Sequence, residues 1–435
     1  MQTIGLLFLP EPTPVPLLVG GISVVERQAR LLRRAGAERL FAVDVVPLTV
    51  LPQGVEAVSA AALPGLIGRD DRVVVVTAGL VIDERCINAV LAAPAPALLV
   101  ADAGAVPLRG VERLDALSFA AGVMALPGMM VREVAATLGD WELGSTLIRA
   151  AATNKATIRI DIAALPLYAW DRRRDVPLIW ALPTSEAEAK TATDVVVASA
   201  QKGCLDWPAR FIHPPIENAL VRLLAPTPVT PNLVTLFTAV VGVAGIVAFA
   251  MGWLWTGLIL ALITGPLDGV DGKLARTRVE YSKWGDLEHV LDKFLEYGWY
   301  MALASYFVGT MNSALPWAVA ALIILPALSE AIQSEVFRRM TGVQLDDTGD
   351  IERRIRLFAG RRNTFLWTLL PFAAADAWFA GFVMLAVYSV VTTIVAQWRF
   401  YVRLAAYGRD HGSKIAANLA DSRYEFLPSG SASLK

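Results

Sequence analysis

The chain has 435 residues, of which 55% are hydrophobic, and its 39 basic and 40 acidic residues give a net charge of −1. A chain without an overall positive field is not expected to bind nucleic acid. Its two cysteines, Cys86 and Cys204, lack the spacing of a metal site and cannot build a disulfide framework, which favours a reducing compartment.

The chain up to residue 200 has the charge density of an ordinary soluble domain. No basic segment precedes the short apolar run near Met1, and no signal peptide is predicted. Strand-like runs alternate with helical patterns, the strands at 3–9, 40–46, 73–77 and 97–101 and the helices at 24–35, 83–92 and 186–200. This alternation is typical of a parallel, Rossmann-like α/β sheet, so residues 1–200 are predicted to form a cytoplasmic α/β domain.

An amphipathic segment follows at 205–228. Apolar residues such as Phe211 and Ile216 alternate there with charged residues such as Arg210 and Glu217. The pattern predicts a juxtamembrane helix that lies on the membrane surface and is started or kinked by two adjacent prolines. A soluble linker helix is the alternative interpretation.

Residues 229–405 contain apolar runs long enough to cross a bilayer, which takes about 20 residues. These runs predict an all-α domain of six transmembrane helices, near 232–251, 253–273, 287–310, 314–335, 363–378 and 379–400. The remaining segment, 406–435, is polar and is expected to be a partly disordered tail.

The basic residues predict how these helices are oriented. The turns near 251–253, 311–314 and 375–378 contain no Lys or Arg, whereas the opposite ends of the runs are rich in both. By the positive-inside rule the basic side is cytoplasmic. We therefore expect an integral membrane protein of a bacterial-type inner membrane, with both termini in the cytoplasm.

A group of acids lies at the ends of the second and third predicted spans. Asp268 and Asp271 share one helical face by their spacing, and Glu288 and Asp292 share another. Carboxylates at such depth are functional candidates, and four of them together need cations, for which Mg²⁺ or Mn²⁺ suits oxygen ligands. The alternative is that these acids form salt bridges with nearby Lys and Arg at the membrane rim.

The same segment resembles the signature of the CDP-alcohol phosphotransferases, D-x2-D-G-x2-A-R-x8-G-x3-D-x3-D. Six residues match in register: Asp268, Asp271, Gly272, Ala275, Arg276 and Gly285. The turn at 230–235 also resembles that family, and the likeness covers about 205–405. The last two acids depart from the pattern, because strict register gives His289 and Lys293, and removing one residue restores Glu288 and Asp292.

This resemblance implies a reaction in which an alcohol attacks the phosphate of a CDP-linked donor, either CDP-diacylglycerol or a CDP-alcohol, and CMP is released. It implies two Mg²⁺ or Mn²⁺ ions on four acids, Asp268, Asp271, Glu288 and Asp292. Asp292 would also be the general base. Gly272 and Ala275 would border the cytidine, and Arg276 would hold phosphate. A lipid bilayer and a homodimer are further expectations.

The first domain resembles sugar-phosphate nucleotidyltransferases at Gly20 to Gln28 and at Ala35 to Glu38. The family's glycine-rich nucleotide loop is replaced by the proline-rich Phe8 to Pro16, and Thr77 to Gly79 stands where a metal-binding Asp is expected. We therefore predict a catalytically silent domain. Fusions of an inositol-phosphate cytidylyltransferase to a CDP-alcohol transferase have the same order of parts, which suggests an inositol phosphate or similar polyol phosphate as acceptor.

Two other functions remain open. A non-catalytic membrane scaffold would follow if the altered register at Glu288 disables the site. A transporter is disfavoured, because the acids group at the rim and not across the membrane midplane. A set of basic residues forms either an anionic acceptor pocket or only the positive side of the membrane: Arg338, Arg339, Arg361 and Arg362.

Overall fold

The computed structural model describes residues 1–9, 16–46, 50–102, 104, 111–281, 285–410 and 412. Within the helix that begins at Gly285, the side chains of 285–289 are outside this description, as is that of residue 410. The chain folds into an α/β domain followed by a helical domain, so the predicted fold class is confirmed.

The α/β domain is built on a seven-stranded sheet with helices on both sides. Its strands in chain order are β1 (Thr3–Phe8), β2 (Leu18–Val19), β3 (Ile22–Ser23), β4 (Arg39–Val43), β5 (Val55–Val58), β6 (Arg72–Val76), β7 (Val81–Ile82), β8 (Ala97–Asp102), β9 (Ser118–Pro127), β10 (Ile158–Asp161), β11 (Tyr168–Ala169), β12 (Arg174–Asp175) and β13 (Trp180–Ala181). Its helices are α1 (Val24–Arg34), α2 (Leu63–Leu66), α3 (Glu84–Ala92), α4 (Gly128–Ala136), α5 (Leu143–Thr153) and α6 (Glu186–Ser199).

The strand order in the main sheet is β10-β8-β9-β6-β1-β4-β5. β1 lies in the middle and pairs in parallel with β4 and β6. β9 runs antiparallel to both of its neighbours, β6 and β8, so the expectation of a wholly parallel sheet is wrong at this strand. The segment SFAAGVMALP contains one β-branched residue, so neither composition nor alternation marks it as a strand.

The sheet is buried on both faces. One face packs against α1 and α3 through residues such as Leu32 and Ile87, and the other packs against α4 and α5 through residues such as Val131 and Leu147. These four side chains are nearly or fully inaccessible. Removing apolar area on both faces is the main favourable contribution to folding, and it explains the continuous apolar runs of β1 and β6.

The second part of the chain is helical. Its helices are α7 (Trp207–Phe211), α8 (His213–Leu224), α9 (Pro231–Ala250), α10 (Leu254–Arg278), α11 (Gly285–Met311), α12 (Leu315–Thr341), α13 (Asp350–Phe358), α14 (Arg362–Ala374) and α15 (Trp378–Asp410). We call 231–410 the helical domain.

Six of these helices coincide with the six predicted spans. In the described part of the chain, four are long and apolar enough to cross a membrane by length and composition: α9, α10, α12 and α15. α14 has 13 residues and therefore a length of about 20 Å, whereas the hydrocarbon layer is about 30 Å thick. The helical domain belongs to an integral membrane protein, and the count of six spans stays a prediction.

α8 connects the two domains and lies against α10. Its inward side buries His213, Glu217 and Val221. Its outward side exposes large apolar side chains, among them Ile216 and Leu223. An exposed apolar side and a buried polar side are the reverse of what a soluble linker helix shows, which favours a helix facing lipid.

The α/β domain contacts the end of α10 through a tight turn between β2 and β3. Gly21 has a φ of 81°, and a Cβ atom there would lie 1.8 Å from the Ala225 carbonyl oxygen. The neighbouring Arg27 is 3% exposed, and its guanidinium donates to the carbonyl of Thr277 near the end of α10. The turn therefore packs against the segment that follows α8, and Arg27 joins the α/β domain to α10.

Candidate functional site

The candidate site is organised by α10, α11 and the start of α14. α10 ends at Val279, which has a left-handed φ of 53°, and Glu280 then donates its N–H to the Ala275 carbonyl over 2.8 Å. This capping fixes the C-terminal turns of α10, on which Asp268, Asp271 and Arg276 are carried.

Asp268 and Asp292 are brought together from two different helices. Both carboxylates accept hydrogen bonds from one guanidinium, that of Arg362 at the start of α14. The distance from Arg362 Nη1 to Asp292 Oδ1 is 2.9 Å, and Nη2 binds Asp268 Oδ2. The two carboxylates are about one quarter exposed and the arginine is 11% exposed, so the three groups form a partly buried charge cluster.

Asp271 is more deeply placed and faces α9. It is 2% exposed, and its Oδ2 accepts a hydrogen bond from the Thr235 hydroxyl at 2.7 Å. Thr235 belongs to the turn at 230–235, where Thr230 caps α9 by accepting the N–H of Leu233 at 3.3 Å. The resemblance at 230–235 thus has a structural reason. The Thr230 cap fixes the start of α9, and Thr235 on that helix orients Asp271.

Glu288 and His289 lie on α11, but their side chains are outside the described residues. The structure therefore brings together two of the four predicted carboxylates, Asp268 and Asp292, and places Asp271 on the same stretch of α10. The position of the fourth acid relative to them stays a prediction.

The predicted donor-binding residues lie one turn further along α10. Gly272 is partly exposed, and a Cβ atom there would lie 3.2 Å from Arg276 Nη1, so the guanidinium folds back along the helix. Arg276 Nε donates to the Ala200 carbonyl of the α/β domain at 2.7 Å. Ala275 is also partly exposed. Arg276 is thereby oriented by the α/β domain.

A buried polar cluster behind α10 joins it to α8. The Lys273 ammonium lies 2.9 Å from Glu217, and the two side chains are 1% and 5% exposed. Lys273 also donates to Asn218 Oδ1 at 2.8 Å and to the side-chain carbonyl of Gln201. Burial raises the pKa of Glu217, and its close partner Lys273 opposes that shift. The absence of a side chain at Gly269 allows this contact, because a Cβ atom would lie 2.3 Å from Glu217 Oε1.

A second polar contact ties the start of α14 to the segment before α7. Asp206 accepts two hydrogen bonds from the Asn363 amide, at 3.3 and 3.4 Å. Burial raises the pKa of Asp206 and lowers that of the neighbouring His213. Asn363 directly follows Arg362, so this contact holds the arginine that bridges Asp268 and Asp292.

A polar pocket opens beside the turn of α11 that follows Asp292, at Lys293 and Glu296. It lies between α11, α12 and the chain from 344 to 361, and its wall includes Lys293, Glu296, Glu330, Arg356 and Arg361. Lys293 pairs with Glu296 at 2.7 Å, whereas the buried Nε of Arg361 has no hydrogen-bond partner among the described residues. An unpaired buried donor on a permanently charged group favours an anionic ligand.

The other candidate basic residues have different surroundings. Arg338 and Arg339 both pair with Glu335 at 2.8 Å on α12. Arg361 lines the pocket, and Arg362 binds the two aspartates. Sequence reasoning placed these four together, whereas the structure divides them among three roles.

The aspartates supply the oxygen ligands that a hard divalent cation prefers. Two of them already converge on one positive charge, so the donor set fits Mg²⁺ or Mn²⁺ in kind. Among the described residues, no three His, Cys, Asp or Glu groups stand close enough together to hold a metal ion. Arg362 binds one oxygen of each aspartate, Asp268 Oδ2 and Asp292 Oδ1, so a metal ion held there would share these carboxylates with the guanidinium.

The residues that sequence reasoning missed are those that hold the aspartates. Thr235 appeared only within the 230–235 motif. Arg362 appeared only as one of four basic residues that form either an anionic acceptor pocket or the positive side of the membrane. Lys273 stands within the signature but carries no role there, and its partners are distant in sequence. No spacing rule connects residues from α8, α9 and α14 to α10.

Comparison with known proteins gives a match to one family model over part of the chain. Residues 228–395 match the family model described as CDP-alcohol phosphatidyltransferase. The bifunctional IPC transferase and DIPP synthase of Aquifex aeolicus is 27% identical over 228 residues, which is 51% of this chain and 51% of that protein. The phosphatidylinositol phosphate synthase of Cutibacterium acnes is 36% identical over 108 residues, 24% of this chain and 50% of that protein.

Among solved structures, the phosphatidylinositol phosphate synthase of Mycobacterium tuberculosis with CDP-DAG bound matches 44% of this chain and 94% of its own. The identity is 21% and the TM-score is 0.34. The chain spans about half the length of the curated relatives just described. These relatives carry the names of a transferase and of synthases. The family match falls within the part of the chain that resembles CDP-alcohol phosphotransferases.

Proposed function

We propose that this chain, whose residues 228–395 match the CDP-alcohol phosphatidyltransferase family model, transfers a phosphoryl-linked group from a CDP-linked donor to an alcohol and releases CMP. The acceptor that suits the structure is a polyol phosphate, with an inositol phosphate as the first candidate. The donor is CDP-diacylglycerol or a soluble CDP-alcohol.

The observation that carries this proposal is the convergence of Asp268 and Asp292 on Arg362. Two carboxylates from separate helices are held at one point near the end of α10, next to Asp271. Two carboxylates that bind the same guanidinium lie close enough to repel each other unless a cation stabilises them. The chain therefore maintains an acidic site that would be costly without a function.

Asp268, Asp271, Glu288 and Asp292 are proposed to hold one or two divalent cations. Bound there, Mg²⁺ or Mn²⁺ would neutralise negative charge on the phosphates of the donor. In the absence of metal, the Arg362 guanidinium neutralises the negative charges of Asp268 and Asp292.

Asp292 is proposed to be the general base. It accepts the proton of the acceptor hydroxyl, which makes that oxygen a better nucleophile toward the donor phosphate. The bond from the acceptor oxygen to phosphorus forms while the bond from phosphorus to the CMP oxygen breaks. The polar pocket beside Asp292 then holds the rest of the acceptor, and we call it the acceptor pocket.

The acceptor pocket suits a phosphorylated polyol. Its wall is made mainly of charged and polar side chains, which match the hydroxyl and phosphate groups of such a molecule. Arg361 and Arg356 offer guanidinium donors to the phosphate, and Glu296 and Glu330 offer acceptors to hydroxyl groups. A pocket with both kinds of group binds such a molecule in one orientation.

The donor is proposed to lie along α10. Gly272 and Ala275 are small, so a cytosine ring can approach the helix closely. Arg276, which the Ala200 carbonyl orients, would pair with a donor phosphate.

The α/β domain is proposed to be catalytically silent. At the carboxyl end of β6, the Gln28 amide donates to the Thr77 and Leu80 carbonyls at 2.9 and 2.8 Å. Leu80 itself is buried. The chain's own side chains thus occupy the edge of the sheet where nucleotides bind in related folds. Full-length protein carrying Asp271→Asn should release no pyrophosphate from CTP and a polyol phosphate, and detectable release would contradict this assignment.

The sidedness is also proposed. By the positive-inside rule, the cytoplasmic side holds the basic ends of the helices, and with them the α/β domain and the active site. The exposed apolar side of α8 would then rest on the inner leaflet. Protection of single cysteines from a membrane-impermeant reagent in intact cells tests this, and mass photometry tests the expected homodimer.

The decisive experiment is CMP release from CDP-diacylglycerol by the purified protein in detergent, with Mg²⁺ or Mn²⁺ and a panel of alcohols and polyol phosphates. Metal-dependent release that Asp271→Asn abolishes is the expected result. Silence with the lipid donor directs the assay to soluble CDP-alcohols. Silence with both donors, from folded protein, would contradict the transferase and support a scaffold.

A further inference from the structure

We infer that the α/β domain completes the acceptor pocket of the helical domain, with Arg173 as a positioning residue that sets its selectivity for a phosphorylated acceptor. This inference rests on the proposed function for its ligand. Arg173 is the member of the pocket wall that comes from the α/β domain, whereas the other wall residues follow residue 290.

The turn between β11 and β12 carries Arg173 to the helical domain. Arg173 has a φ of 55°, and its N–H donates to the Ala169 carbonyl at 2.7 Å. A left-handed conformation at an arginine is uncommon and persists where surrounding contacts fix it. The backbone therefore points this side chain away from its own domain.

The guanidinium of Arg173 binds two acids in the segment between α12 and α13. Its Nε lies 2.7 Å from Asp347 Oδ2, and its Nη2 lies 3.3 Å from Asp346 Oδ2. The Asp347 side chain is 7% exposed and that of Asp346 is 20% exposed. Burial would lower the pKa of Arg173, but its ion pairs with Asp347 and Asp346 outweigh burial and raise that pKa.

Cys204, in the segment between α6 and α7, adds further contacts to the chain between α12 and α13. The Cys204 thiol donates to Asp347 Oδ1 at 3.1 Å. Arg356, on α13, lies 3.7 Å from Asp346 and donates to the Cys204 carbonyl at 3.2 Å. The α/β domain is thus fastened to the pocket wall at several points.

The charge balance gives Arg173 its effect on the acceptor. Asp346 lines the pocket, and Asp347 lies behind it. Without Arg173, the ion pairs left to these acids among the described residues would be Asp346 with Arg356, at 3.7 Å, and Asp347 with Arg353, at 3.6 Å. The two acids would then draw the wall arginines more strongly and repel a phosphate. By adding a third positive charge to these two acids, Arg173 leaves Arg361 available to an anion.

The test is equilibrium binding of myo-inositol 1-phosphate to the full-length protein in detergent, without donor. Arg173→Ala should weaken binding about tenfold, since it removes one full charge near the anion. Its effect on unphosphorylated myo-inositol should be much smaller. Combining Arg173→Ala with Asp346→Asn should restore most of the lost affinity, because the repelling carboxylate is also removed.

Arg174→Ala is the matched control. Arg174 neighbours Arg173, but its guanidinium donates to the Ala198 and Gln201 carbonyls, both at 2.8 Å. This variant should stay within about twofold of wild-type affinity. In the transferase assay, Arg173→Ala should raise the KM for the acceptor and leave the KM for the CDP-linked donor unchanged.

Unchanged binding in Arg173→Ala would overturn the inference, as would an equal loss for the phosphorylated and unphosphorylated polyols, or a wild-type protein that does not bind the phosphorylated probe. A wild-type protein that binds the probe through Arg173 yet releases no CMP contradicts the proposed function and supports this inference. The two failures are therefore distinguishable.

Discussion

Arg362 is the residue on which the metal-free site depends. Its guanidinium bridges Asp268 on α10 and Asp292 on α11. An arginine between two prospective metal ligands has two consequences. It stabilises the protein without metal, and it competes with the metal for the same two carboxylates.

The first prediction concerns this competition. Arg362→Gln should lower the Tm in EDTA, because two partly buried carboxylates lose their counter-charge at a cost of about 1–3 kcal/mol. The rise in Tm on adding Mg²⁺ should be larger than in wild type, since the cation then provides the missing charge. Differential scanning fluorimetry of both proteins measures this. Arg222→Gln, which removes an exposed ion pair with Asp194, is the control. An equal Mg²⁺ effect in wild type and Arg362→Gln would contradict the assigned role.

The second prediction concerns the buried pair of Lys273 and Glu217. Lys273→Met should destabilise the protein by about 3–5 kcal/mol, because it leaves a carboxylate buried without its partner. The double variant Glu217→Gln with Lys273→Met should recover much of that loss. Thermal unfolding in detergent compares the three proteins. A single variant as stable as wild type would show that this pair is not part of the folded core.

At the scale of elements, α13 and α15 are joined by one carboxylate. Glu352 accepts hydrogen bonds from Arg399 Nε at 2.9 Å and from Arg403 Nε at 2.8 Å. Burial would raise the pKa of Glu352, but these bonds outweigh it and lower the pKa to about 2. A lowered pKa in the folded state stabilises the protein above the ordinary value of about 4.5, and the effect is lost as the pH falls toward 2.

The third prediction follows from that pH dependence. Glu352→Gln should lower the Tm by a few degrees at neutral pH. The difference from wild type should shrink between about pH 4.5 and pH 2, as the wild-type carboxylate is protonated. Thermal unfolding across this range checks it, with Glu335→Gln on the exposed α12 pair as comparison. A difference that is constant with pH would show that charge is not the cause.

The fourth prediction concerns the turn between β2 and β3. Gly21→Ala should weaken the contact between the domains, because the new Cβ would meet the Ala225 carbonyl and the φ of 81° disfavours any side chain. Limited proteolysis should then separate the two parts faster, with lower transferase activity. Gly65→Ala, where a Cβ atom meets nothing within 4 Å, is the matched control. Equal rates of cleavage in the two variants would show that this contact does not hold the domains together.

At the scale of the whole molecule, the sequence was enough to predict those elements whose residue pattern is local. The helix at Val24–Arg34 and the strand at Thr3–Phe8 lie within a residue or so of their predicted bounds, because periodicity and capping act over a few residues. The long apolar helices were found for the same reason. The Asp268 to Arg276 motif was recognisable because its residues occupy consecutive turns of one helix.

What the sequence did not predict depends on partners far apart in the chain. β9 has no compositional mark, and its antiparallel direction is a property of the assembled sheet. Arg362 meets Asp268 across 94 positions, and Arg173 meets Asp347 across 174. Such contacts follow from the packing of whole elements, and no spacing rule applies to them.

The Lys273 cluster has a consequence for where this chain can be divided. The family match begins at residue 228, but the partners of the Lys273 ammonium are Gln201, Glu217 and Asn218. A protein cut at the homology boundary would keep a buried cation and lose the groups that solvate it. The segment that matches the family model and the segment that folds as a unit therefore begin at different residues, and a truncated protein should begin before residue 201 to remain intact.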